Sequence, residues 1–171
     1  KLPLAFATAM LVLLCAALYG IHNLNQAITT YGTTLQTSQQ NAAAASDLLA
    51  QFKTQVQEWK NTLLRGKDAA ALDKHWGAFN RIEADMRPTL QALVERLPNG
   101  ESRQLVEKFT QSHATMGVNY RKAFEAFKAA DFDPTVGDKA VSGMDREPAK
   151  LLDEAAARIA ADGVAAAELA T

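Results

Sequence analysis

From residue 24 to residue 63 the apolar positions keep one rhythm. Leu24, Ile28, Tyr31, Leu35, Ser38, Ala42, Ala45, Leu49, Phe52, Val56, Trp59 and Leu63 follow in alternating steps of four and three, with Ser38 the one polar member. Such a heptad seam places every member on one stripe of a helix. Gly32 is the only helix-weakening residue inside it and no proline interrupts it, so the pattern predicts a single helix over residues 23–65. At the usual rise this is roughly 60 Å long. The stretch Thr54-Gln-Val-Gln-Glu-Trp-Lys-Asn-Thr-Leu-Leu-Arg-Gly66 closes the seam, and Gly66 is its natural stop. A helix of this length needs long partners.

Upstream the pattern changes from a stripe to a continuum. Residues 2–21 carry no charge, and a run of that length can cross a bilayer as a helix. A cleaved signal peptide is the alternative, with Ala16 and Ala17 offering small residues before Tyr19. The length of the run and the helical pattern continuing straight out of it favour an uncleaved anchor. Residues 1–22 are therefore expected to be a transmembrane helix and residues 23–171 an extracytoplasmic domain, with Lys1 marking the cytoplasmic side.

Downstream, three more apolar-periodic runs are separated by breakers. Asp68 can cap a second helix carrying Leu72, His75 or Trp76, Phe79, Ile82, Met86, Leu90, Leu93 and Leu97, which Pro98-Asn99-Gly100 ends. Glu101 or Ser102 opens a third, with Leu105, Phe109, Met116, Tyr120, Phe124 and Phe127 on its apolar side. Asp133 and Pro134 read as the N-cap and first residue of a fourth. That helix is expected to bend at Ser142-Gly143-Met144, to restart with Asp145 as cap, and to bury Leu151, Leu152, Ala155, Ile159 and Val164. The tail, residues 165–171, keeps the helical bias without a stop signal, as in a segment that continues.

Short connections make successive helices antiparallel, so the expected fold is all-α: an antiparallel up-down-up-down four-helix bundle with an N-terminal transmembrane helix. The second and third helices are each about thirty residues and the first is longer, so the first and fourth project toward the bilayer by roughly 15–20 Å. Their exposed seam is economically covered by a second copy, and the small Ser38, Ala42 and Ala45 permit close approach in a homodimer. The same small residues could instead taper the core within one chain.

Composition removes several function classes. The 171 residues carry a formal net charge of −1, which gives no basic field for a nucleic-acid partner. The single cysteine, Cys15, lies in the apolar run, so no disulfide framework, zinc site or thiolate nucleophile is expected. His22, His75 and His113 lack ligand spacing and any Cys-x-x-Cys-His or Glu-x-x-His partner, and packed or exposed imidazoles are expected in place of metal or haem. No cofactor is expected. No nucleophile elbow is readable among the serines and threonines, which points away from an enzyme.

Depth singles out four residues. Counted from the distal turns, Gln57, Arg81, Tyr120 and Arg146 lie about nine to thirteen residues down, a common layer roughly 14–20 Å below the tip. Guanidinium groups suit bidentate capture of a carboxylate, and a phenol and an amide can complete the hydrogen bonds. These four are the candidate ligand-binding residues. The competing reading pairs Arg146 with Asp145 or Glu147, and Arg81 with Asp85.

A membrane anchor followed by a long helix closing in Gln57-Glu-Trp-Lys-Asn-Thr-Leu-Leu-Arg-Gly66, then Leu72-Asp-Lys-His-Trp76 with Phe79, Tyr120-Arg121, Phe124-Glu-Ala-Phe127 and Gly143-Met-Asp-Arg-Glu-Pro148, resembles the extracytoplasmic sensor region of bacterial methyl-accepting chemotaxis proteins. The resemblance covers nearly the whole chain. It implies a dimeric periplasmic helical bundle on the bacterial inner membrane that binds a small molecule, an organic acid or amino acid, and signals to cytoplasmic regions. Related modules front histidine kinases and diguanylate cyclases, so the output stays open. A ligand-free, membrane-anchored bundle that is purely structural or docks a partner protein is the rival from another class.

Overall fold

A computed structural model describes residues 2–169 as helices joined by short turns, with no strand among them. Lys1, which carried the orientation argument, and the last two residues of the tail lie outside the described residues. Helix α1 (Leu2–Arg65) runs unbroken for 64 residues, about 95 Å. It is followed by α2 (Ala69–Arg96), α3 (Glu101–Ala129), α4 (Pro134–Val141) and α5 (Arg146–Glu168).

The ends follow local chemistry. The Asp68 carboxylate accepts the Ala71 amide at 2.7 Å and starts α2. Asp133 accepts from Thr135 at 2.9 Å, with Pro134 in the first turn of α4. The expected break in the last helix is real: it separates α4 from α5, and Gly143 takes φ 76° there, a conformation glycine adopts without penalty. Asp145 does not cap through its side chain. Its own backbone is already helical (φ −82°, ψ −16°), whereas a capping side chain needs the extended backbone that turns it back onto the first-turn amides. Pro88 sits inside α2 without ending it.

Residues meeting across the turns fix the directions. Glu58 meets His75, Asn80 meets Arg121, and Ser102 meets Asp162, so α1, α2, α3 and α5 alternate in direction. Helix α1 packs along α2 and α5, and α3 packs along α4 and α5 and more sparsely on α2. No such packing joins α2 to α5, which sit across the core from each other.

The core begins where the seam of α1 becomes covered. Leu24, Ile28 and Tyr31 are exposed, while Ala45, Phe52, Val56, Trp59 and Leu63 are buried. The buried face is wider than the seam and includes Asn41, Leu48, Gln55 and Thr62. Toward the distal end, Trp59 and Trp76 meet edge-on at 6.0 Å, not in a stack. Trp76 instead lies flat against Phe124 at 4.1 Å, and Phe79 lies flat against Tyr120 at 5.4 Å. The N-terminal part of α1 is long and apolar enough to cross a membrane, and none of that window is buried against the rest of the chain.

Candidate functional site

The four candidate residues belong to one level of the molecule. Trp59 touches Tyr120, Asn80 receives a hydrogen bond from Arg121, and Asp145 acts electrostatically on Tyr120. Their directions around that level differ. Gln57 is on the outer face of α1, its amide nitrogen donating to Asn61 at 3.4 Å. Arg81 is exposed on α2 beside Gly77, and Arg146 is exposed at the start of α5, folded over Gly143. Only Tyr120 points inward, at 2% exposure. Because α2 and α5 do not pack together, Arg81 and Arg146 do not meet within one copy.

Neither arginine makes an ion pair among the described residues, so the pairings with Asp85, Asp145 or Glu147 are not formed. Burial holds the Tyr120 phenol above its ordinary pKa, and the carboxylates of Asp145 and Asp138 push it further the same way. The neutral phenol is therefore the species present.

The core also holds polar groups that the apolar pattern did not announce. Glu83 of α2 is 3% exposed and is held by Arg121 of α3 and by Arg87 at 3.3 Å. Gly117 makes the room: a Cβ there would collide with the Glu83 carboxylate. His113 of α3 lies flat on Phe109 at 5.2 Å and bonds Gln55 Oε1 at 2.7 Å. Burial lowers the His113 pKa, Glu83 opposes that shift, and Arg87 and Arg121 add to it. A neutral imidazole with its proton on Nε2 donates to Gln55 Oε1; Gln55 Nε2 and, separately, Trp59 Nε1 are buried without partners among the described residues. His75 meets Glu58 at 2.6 Å, and no cluster of metal-ligating side chains forms among the described residues.

Of these, Glu83 had a signal in the sequence, since it lies beside Ile82 on the apolar side of α2 and four residues before Arg87. Gln55 had none. It reads as a solvated helix position until His113 is brought to it from 58 residues away.

The chain is similar to the methyl-accepting chemotaxis protein CtpH of Pseudomonas aeruginosa, with 35% identity over 138 residues, 81% of this chain. The match agrees with the resemblance carried by the motifs. The chain spans about a quarter of that relative, 24% of its length. No family model and no solved structure matches the chain.

Proposed function

We propose that this chain, similar over most of its length to a methyl-accepting chemotaxis protein, is the membrane-anchored, ligand-sensing part of a bacterial chemoreceptor. The observation that carries the reading is α1 itself. One uninterrupted helix contains both the apolar stretch long enough to cross a membrane and the buried face that organises the rest of the chain. A change in packing around Trp59 or Phe52 is therefore mechanically continuous with the membrane stretch, and packed helices convert small displacements into discrete shifts.

In this reading residues 1–22 span the inner membrane. Residues 23–171 form an up-down-up-down four-helix bundle in the periplasm, with no catalytic role. A second copy covers Leu24, Ile28 and Tyr31, the part of the α1 seam that the chain leaves exposed. The ligand is a small carboxylate, an organic acid or amino acid, recognised by Arg81 and Arg146, with Gln57 and Tyr120 at the same level. The absence of an ion pair at either arginine supports this, since an unpaired guanidinium is available for bidentate capture. Residues across the core from each other can share one ligand only across an interface between two copies.

A thermal-shift series on the wild type, Arg81→Ala and Arg146→Ala against pooled carboxylates and amino acids tests the assignment. A ligand that binds the folded state raises the melting temperature by mass action. The reading expects the Ala variants to keep the unliganded melting temperature and lose the rise. A ligand response unchanged in both variants would remove the two arginines from the site.

A further inference from the structure

At the end of the helical domain nearer the membrane stretch, α1, α5 and the α2–α3 turn border a half-open cavity of about 330 Å³, at the small end of the roughly 300–1,000 Å³ usual for ligand sites. It is lined by none of the four candidate residues above. Leu97, Pro98, Ile159 and Ala166 supply apolar wall.

Most polar groups around it are already committed. The Thr33 and Thr37 hydroxyls donate to carbonyls of their own helix, and Ser38 donates to the Ile159 carbonyl at 2.6 Å. Asp162 accepts from Ser102 on one oxygen and from Arg158 Nε on the other, at 2.8 Å.

Three groups are left over, one of them the Thr34 hydroxyl, which has no hydrogen bond among the described residues. Asn41 is 5% exposed yet has no side-chain hydrogen bond among the described residues, and neither of its amide atoms is sealed in the core. Asn41 lines the cavity. Arg96, at the end of α2, lines the same cavity and makes no ion pair among the described residues. An amide that no protein group satisfies and that is not sealed in the core is left to solvent or to a ligand that enters the cavity.

We propose that this cavity is a second binding site, for a short-chain aliphatic monocarboxylate. The carboxylate accepts from the Asn41 amide nitrogen and the Arg96 guanidinium, and the alkyl chain lies against Leu97, Pro98 and Ile159. The selectivity follows from the committed groups. An ammonium group, as in an amino acid, finds Asp162 already occupied by Ser102 and Arg158. A second carboxylate finds no second uncommitted cation and faces apolar wall. Occupation acts where α1 and α5 touch most closely, because Ser38 and Gly163 also line the cavity.

The test titrates the detergent-solubilised chain with butyrate and valerate, and with butylamine, butanol and succinate as controls, by thermal shift and isothermal titration calorimetry. The expected result is a saturable stabilisation by the two monocarboxylates only, weakened about tenfold or more by Asn41→Leu and by Arg96→Gln. Asn41→Leu conserves volume and removes the unpartnered amide, so its unliganded melting temperature should equal or exceed that of the wild type. Arg96→Gln changes an exposed side chain and gives a second folded variant. No saturable response to either acid, an equal response to butylamine, or a monocarboxylate response that survives both substitutions would each overturn the proposal. The last outcome, if abolished by Arg81→Ala or Arg146→Ala instead, would assign binding to the outer arginines.

Discussion

Gly163 of α5 lies against Ser38 of α1 so closely that a Cβ at position 163 would overlap both the Cβ and the hydroxyl oxygen of the serine. The serine hydroxyl is bonded one turn away to the Ile159 carbonyl. Gly163→Ala should therefore force α1 and α5 apart and lower stability by about 1–3 kcal/mol, the usual range for overpacking. Ser38→Ala should not rescue it, because the serine Cβ is itself in the way. Ser38→Gly should rescue it, as thermal melts of the single and double variants will read.

Glu83 and Arg121 form an unequal pair. The carboxylate is 4% exposed and the guanidinium 46% exposed. Removing the arginine leaves a buried charge with only Arg87 beside it, whereas removing the acid returns two arginines to water. Arg121→Ala should cost about 2–3 kcal/mol, a figure already reduced for the exposure of the arginine, and Glu83→Gln about 1 kcal/mol. Denaturant melts of the two variants should keep that order.

His113 gives the protein a pH-dependent term. Its pKa in the fold is lowered by burial, so in the window between that value and the unfolded value near 6.5 the unfolded chain binds more protons. Stability from this group is complete above that window and falls as pH is lowered through it, levelling off below the folded pKa. His113→Gln, which can keep a hydrogen bond to Gln55, should show a smaller loss of melting temperature than the wild type between pH 7.5 and pH 5.5.

How far the sequence could be read follows from which groups bond locally. The alternating steps from Leu24 to Leu63 were sufficient to predict an unbroken α1, because helix formation depends on residues within one turn, whereas burial of the seam depends on distant helices and stops short of Leu24, Ile28 and Tyr31. Asp68 and Asp133 were legible as caps for the same reason. Asp145 was not, since its role depends on the backbone angle that the Gly143 turn imposes. The candidate layer was legible in depth, a matter of counting residues at fixed rise. It was not legible in direction: an error of one residue turns a side chain by about 100°, enough to move Arg81 and Arg146 from the core to the surface. Buried polar groups such as Asn41 and Gln55 carried no signal, because the side chains and cavities that they face come from distant helices.

Sensing of a small molecule on behalf of a chemoreceptor is tested by joining this chain to the second membrane span and signalling region of a chemoreceptor in a receptorless bacterium. Swimming reversals are then recorded against the compounds that raise the melting temperature of the chain. A stimulus-dependent change in reversal frequency is expected for at least one such compound, with loss of that change on substitution of the arginine that abolishes its binding. A fusion that inserts in the membrane and supports basal reversals, yet responds to none of the compounds the chain binds, would contradict the sensing role.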